Sequence, residues 1–179
     1  MLKKSIQIIS VLMLVIACKQ QQARRPKQHS TSNFYEEVIA ENKKLNALEK
    51  ARLEAFLKQD TTQTYIASST GFWYTYNVKD TVKTEMPEKN DIVEITFNIT
   101  DVLGNVIYPT QQKTYKVDKE DFIPGLQDGI KLMKQGETIT FVIPSYRAFG
   151  VTGDGNKIGI NQPIKSTLTI NKLIKNEIN

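Results

Sequence analysis

From Asp91 to Thr100 the chain alternates without a fault, with Val93, Ile95, Phe97 and Ile99 on one side and Glu94, Thr96, Asn98 and Thr100 on the other. A period of two does not fit a helix. It describes a strand with one face in a core and one face wet, the habit of antiparallel sheets. Such a sheet needs an apolar layer to cover its buried face. With 40% of its 179 residues hydrophobic, the chain can build that layer, and wholesale disorder is excluded.

The rest of the C-terminal two thirds follows suit. Gly71-Phe-Trp-Tyr-Thr-Tyr-Asn-Val78 is aromatic and β-branched, and Met86 to Asp91 has the composition of a turn. Leu103-Gly104-Asn105 turns the chain into Val106-Ile107-Tyr108. Ile139, Phe141 and Ile143 form a second inward row, and Leu168 and Ile170 a last one. One short helix interrupts the strands, from Gly125 to about Lys134. In it Leu126, Ile130 and Met133 recur at i, i+4 and i+7, and Gly136 stands where a left-handed cap would end it. The expected fold is therefore α+β, a sheet curling over a single helix, with Ile95, Ile130, Met133, Ile139 and Phe141 in the core.

Ahead of the strands, Phe34 to about Lys58 lacks Gly and Pro and reads as a helical arm. Phe34, Val38, Leu45, Leu48 and Phe56 fall on one stripe, and Ser32 or Asn33 is placed to cap the start. The stripe either packs on the domain or meets a second copy. Packing in cis is favoured, because one stripe is too short to demonstrate a coiled coil. The expected organisation is a leader over 1–17, a tether over 18–33, the arm over 34–60 and a strand-rich domain over 61–179.

The leader carries Lys3 and Lys4 before an apolar run, Ile6 to Ala17, that is too short to span a bilayer, which takes about 20 residues. It has the proportions of an export signal. Its end, Val15-Ile16-Ala17-Cys18, resembles the lipobox of bacterial lipoproteins. The resemblance implies cleavage before Cys18, acylation of that residue and anchoring in the lipid bilayer. Lys19, rather than Asp, after the cysteine implies the outer membrane, facing the periplasm. The tether to Asn33 has no aliphatic residue larger than Ala, and the lone histidine, His29, is read as one of its solvated residues.

Composition removes other classes. The chain has one cysteine and one histidine, which leaves no disulfide framework, no thiolate zinc site and no histidine cluster, so no metal and no cofactor are expected. The net charge of +5 is concentrated before Phe34, where Lys3, Lys4, Lys19, Arg24, Arg25 and Lys27 face no acid. The remainder is almost neutral and lacks the basic footprint of nucleic-acid binding.

Ile123-Pro124-Gly125-Leu126-Gln127-Asp128-Gly129-Ile130-Lys131-Leu132-Met133-Lys134-Gln135-Gly136-Glu137 resembles the central helix signature of FKBP-type peptidyl-prolyl isomerases. Ile143-Pro144-Ser145-Tyr146-Arg147-Ala148-Phe149-Gly150 is similar to that family's Pro…Ala-Tyr-Gly segment, and Asp101 to Ile107 to its turn before a Phe-Asp pair. The resemblance covers about 70–179. It implies an antiparallel half-barrel wrapped on one short helix, here with the arm and a lipoprotein leader.

It also implies a pocket. Phe97 stands for a family Tyr, Ile107 and Tyr108 for the Phe-Asp pair, and Phe122 and Ile123 for a Val-Ile pair whose second amide bonds a substrate carbonyl. Leu126 stands for the Trp floor, Phe149 for the Tyr of Ala-Tyr-Gly, Ile160 for a loop Ile, and Ile170 for the last strand's aromatic. Lys113 aligns with a missing aromatic, for which Tyr115 can substitute. Phe149 lacks the family's hydroxyl donor, and Tyr108 removes a carboxylate from the pocket wall.

The activity implied is cis–trans isomerisation of Xaa–Pro bonds in exported polypeptides, with no nucleophile or metal required. The departures at Phe149 and Tyr108 keep a second reading open, a catalytically weak FKBP-like chaperone or binding module. Together with the lipobox and arm, the resemblance extends to FKBP lipoproteins of the gliding-motility and linked secretion machinery, which would then be partners.

Overall fold

The computed structural model describes residues 31–176. The signal-like leader, Cys18 and most of the tether with His29 lie outside the described residues. The chain divides into two units, Met1–Ala40 and Glu41–Asn179. In the first, the described part is helical and leaves Phe34, Tyr35, Val38 and Ile39 exposed, with Phe34 56% accessible.

The elements run α1 (Thr31–Gln59), β1 (Ile66–Ala67), β2 (Trp73–Val78), β3 (Ile92–Thr100), β4 (Val106–Lys116), α2 (Pro124–Ile130), β5 (Thr138–Ile143), a 3-10 turn (Ser145–Arg147) and β6 (Ile164–Ile174). The strands form one sheet in the order β1-β2-β5-β6-β3-β4, and every neighbouring pair is antiparallel. This is the expected α+β architecture.

The alternation in β3 does what its period requires. Val93, Ile95, Phe97 and Ile99 are all buried. Leu168 of β6 sits between Phe97 of β3 and Ile139 of β5 in register, and Ile170 opposes Ile95, so one apolar row crosses the middle of the sheet. Leu126, Ile130 and Met133 close the layer above it, fully buried in the same cluster. Each such side chain removed from water contributes about 1.5–3 kcal/mol.

The helix lies close because it is thin where it touches. A Cβ on Gly125 would stand 2.6 Å from Cγ2 of Ile143, and one on Gly129 would stand 2.6 Å from Cε1 of Phe141. The helix is shorter than its periodicity predicts. It ends at Ile130 with Lys131 as its cap, so Gly136 is not its terminator. Gly136 does take the left-handed φ of +91°, but in the later turn into β5, where its N–H donates to the Ile170 carbonyl at 2.7 Å. The acid that follows has a structural task as well. Buried Glu137 accepts the Asp80 N–H at 3.0 Å and the Lys134 N–H at 2.8 Å.

Within the second unit the later turns of the arm pack in cis, but not through the expected stripe. α1 begins at Thr31, which puts Ser32 and Asn33 inside the first turn rather than at the cap. Phe34, Val38, Leu45, Leu48 and Phe56 are exposed, whereas Leu53 and Leu57 are buried against Trp73 and Val142. These two lie roughly 100° round the helix from the centre of the stripe. A single i, i+4 pair meets the back of the sheet. Consequently β5 is buried on both faces, Phe141 towards α2 and Val142 towards α1.

At the far end Asp91, 2% accessible, gathers the chain's exit. It accepts the Asn176 N–H at 2.8 Å, the Glu88 N–H at 2.7 Å and the Lys175 ammonium at 2.8 Å. Burial alone would raise this carboxyl, but Lys175 and the two amides outweigh it and hold it below its ordinary 3.8.

Two tests follow from this packing. Gly129→Ala gains helix propensity of about 1 kcal/mol, yet the methyl meets the Phe141 ring, and overpacking of about 1–3 kcal/mol should prevail. Urea unfolding reads the balance, and a stabilised variant would contradict the close approach. A carboxyl lowered by folding contributes stability above its unfolded pKa, lost as pH falls through the folded value. Asp91→Asn should therefore cost about 1–3 kcal/mol at neutral pH and flatten the acid limb of the stability profile.

Candidate active site

Ile123 precedes a proline, which keeps it extended, at φ −59° and ψ 119°. Pro124 then opens α2, where its missing N–H costs nothing. The Ile123 carbonyl takes the N–H groups of Leu126 at 2.8 Å and Gln127 at 2.9 Å. Its own N–H has no hydrogen-bond partner among the described residues. Gln127 reaches back with Nε2 to the Phe122 carbonyl at 3.1 Å and fixes the residues before the helix.

Around this amide the aromatic rings interlock. Phe122 meets Phe97 edge-on, with centroids 5.2 Å apart, and lies 5.5 Å from Tyr115. Tyr115 is fully buried and supplies the ring missing at Lys113, whose ammonium sits 5.8 Å above Phe122 instead. Phe97 and Ile123 are nearly closed off, while Ile107, Tyr108, Phe122 and Phe149 are half-buried and pack against the same cluster. Six of the expected residues thus belong to one apolar cluster, Phe97 and Ile123 buried in it and the other four at its half-exposed rim.

Three of them sit differently from the rest. Leu126 and Ile170 are completely covered, so they back the surface rather than line it. Ile160 is 69% accessible and stands apart from the packed cluster. The loop isoleucine that does pack is Ile158, two residues earlier. The reason is local: Asp154 Oδ1 accepts the N–H groups of Asn156 at 2.9 Å and Ile158 at 2.8 Å and curls the loop inward. Gly153 permits the curl at φ +68°, with the space for its Cβ only 2.3 Å from the Ile158 carbonyl oxygen.

That loop restores a carboxylate to the rim. The Tyr108 hydroxyl donates to Asp154 Oδ2 and accepts from Asn156 Nδ2 at 3.2 Å, and Lys157 lies 5.3 Å over the Tyr108 ring. The hydrogen bond from Tyr108, with the loop amides, holds the Asp154 carboxyl below its usual range. The same bond raises the Tyr108 phenol. Sequence reasoning missed Asp154 because it was sought at the position that Tyr108 occupies. The opposite wall is fixed by Arg147, whose guanidinium bonds Asp128 of α2. No group of three or more metal-ligating side chains occurs among the described residues.

With this geometry in view, residues 83–171 match the family of FKBP-type peptidyl-prolyl cis-trans isomerases. This part of the chain belongs to that family. Over 114 residues the chain is 31% identical to the probable FKBP-type peptidyl-prolyl cis-trans isomerase FkpA of Neisseria meningitidis serogroup B. The match covers 63% of this chain and 42% of that protein, so the chain spans less than half the length of this relative. Among solved structures, a peptidyl-prolyl cis-trans isomerase from Pseudomonas syringae pv. tomato superposes with a TM-score of 0.59 at 19% identity, covering 72% of this chain and 96% of that one. FkpA from Escherichia coli gives 0.58 at 22% identity, covering 95% and 82%. These superpositions establish the fold, N-terminal helix included.

The rim of the FKBP domain offers a direct measurement. Replacing Tyr108 by Phe removes the donor that most lowers Asp154. The Asp154 carboxyl, followed by NMR titration, should move back up towards ordinary carboxylates, and the Asn156 and Ile158 amides should exchange faster. An unmoved titration would show that the loop amides alone set Asp154.

Proposed function

We propose that this chain is a membrane-anchored peptidyl-prolyl cis–trans isomerase acting on exported polypeptides. The observation that carries the reading is the unpartnered Ile123 N–H set beside an uncharged wall of Phe97, Phe122, Ile107 and Phe149. Rotation about an Xaa–Pro bond meets a barrier of about 18–20 kcal/mol, because the planar amide is stabilised by resonance. The twisted amide has lost that resonance, and its carbonyl carries less charge. It therefore tolerates a dry apolar surface better than the planar ground state does, which is differential binding of the transition state. The proline ring would lie on the rim, with the Ile123 N–H holding a substrate carbonyl. None of these steps needs a nucleophile, a metal or a transferable proton.

The anchoring half of the proposal rests on the leader, with Cys18 as the acylated residue and the periplasmic face of the outer membrane as the location. Among the described residues no helix is long and apolar enough to cross a membrane. The arm, lipobox and FKBP signature together resemble the gliding-motility-associated lipoprotein GldI. Clients within the gliding or linked secretion machinery are therefore proposed.

A second reading has its own observation. Phe149 brings no hydroxyl to the rim, and the Tyr108 hydroxyl is committed to Asp154. A rim short of donors grips more than it turns over, which suits a holding module.

Detergent-solubilised chain assayed with Xaa-Pro peptides separates the two. Acceleration, lost in Ile123→Arg and inhibited by FK506-type macrolides, is the expected result, and Phe149→Tyr should raise kcat/KM roughly 2–10-fold by restoring a bond of about 0.5–1.5 kcal/mol. Absence of acceleration rejects the enzyme. Suppression of client aggregation that survives Ile123→Arg would instead place holding elsewhere on the chain.

A further inference from the structure

The arm reaches the proposed active site through one side chain. Glu49 of α1 takes both polar hydrogens of Ser145, with its Oε1 accepting the backbone N–H at 2.7 Å and its Oε2 the hydroxyl at 2.6 Å. Ser145 is 2% accessible, so water cannot easily replace either bond. The Ser145 carbonyl in turn accepts the N–H of Ala148 at 2.9 Å and that of Gly150 at 2.8 Å. These are the residues immediately before and after Phe149. Gly150 is held again from its other side, where its carbonyl accepts the Asn161 N–H at 2.9 Å. The carboxylate on the arm therefore fixes the residue whose carbonyl gathers both neighbours of a rim aromatic.

We propose that Glu49 is a positioning residue: through Ser145 it sets Phe149 against the rim, making the arm a determinant of substrate affinity and not only a spacer. Among the described residues, no other side chain of α1 is hydrogen-bonded to another element. The Lys50–Glu54 pair, 3.9 Å apart, is an i, i+4 pair within the helix itself. The inference rests on the isomerase reading, and its test is arranged so that the two fail separately.

The test uses the full chain in detergent, with Glu49→Ala, Glu49→Gln, Phe149→Ala and the double variant Glu49→Ala/Phe149→Ala, and Glu54→Ala as control. Glu49→Ala should lower kcat/KM about tenfold, mainly by raising KM, because misplacing a contact surface by less than an ångström has effects of this order. Amide exchange at Ala148 and Gly150 should speed up. Glu49→Gln, which keeps an acceptor and gains a donor for Ser145, should recover most of the loss, and Glu54→Ala should match the parent.

The decisive comparison is the double variant. If Glu49 acts through Phe149, removing Glu49 should change little once Phe149 is gone, although the two side chains share no hydrogen bond. Additive losses, or an unchanged kcat/KM in Glu49→Ala beside a lowered Tm, would overturn the proposal and leave Glu49 a stabilising contact. If Glu49→Ala does not fold, Ser145→Ala removes one of the two bonds and enters the same cycle. A parent chain with no isomerase activity sinks the isomerase reading instead, and amide exchange then still reports whether Glu49 orders the segment.

Discussion

The molecule depends on how closely α2 can lie on β5. Two glycines four residues apart remove the side chains that would hold helix and strand apart, and Ile143 and Phe141 fill the space so released. At that separation Leu126, Ile130 and Met133 join the row formed by Phe97, Leu168 and Ile139 in one buried cluster. A wider gap would leave either a void beneath the helix or an opening in the floor under Ile123. The family signature is thus first a packing rule, and the site is a consequence of it.

Given that floor, the chemistry proposed for the rim follows from what is absent as much as from what is present. A reaction whose transition state is less polar than its ground state gains nothing from a buried charge, and the charged groups here sit at the edges. Asp154 is turned into its own loop by two amides and Tyr108, and Arg147 is engaged by Asp128. The side chains clustered with Ile123 are hydrocarbon or aromatic. Phe149 in place of a hydroxyl-bearing ring continues the same trend and shifts the balance from directed hydrogen bonding towards shape.

Period and spacing made much of this readable. The inward residues of β3, β5 and β6 and the α2 stripe come from patterns that a sheet or a helix imposes on neighbouring residues, whereas the rim residues Ile107, Phe122 and Phe149 were legible only through the resemblance to a family. What escaped came from contacts between segments far apart in sequence. Leu53 and Leu57 form one i, i+4 pair and carry less periodic signal than the exposed stripe beside them. Ile158 and Ile160 are equivalent by composition, and only the turn around Asp154 decides which is buried. Gly136 has the conformation its neighbours suggested, but the helix had already ended. Glu49 is one of several acids on a charged helix, and its partner lies 96 residues away, a separation that no local pattern encodes.

The position of β5 explains why an arm and an isomerase-type site are parts of one design. Most strands in such a sheet have a wet face, and β5 would too if the sheet stood alone. Here Val142 faces Leu53 and Leu57 while its neighbours Phe141 and Ile143 face α2. The strand runs directly into Pro144 and Ser145, the start of the segment bearing Phe149. The later turns of α1 thus meet this strand at Val142 and, through the Glu49 carboxylate, the segment that follows it at Ser145. Two separate contacts, one apolar and one charged, therefore fall three residues apart, at Val142 and Ser145, just ahead of the segment that bears Phe149.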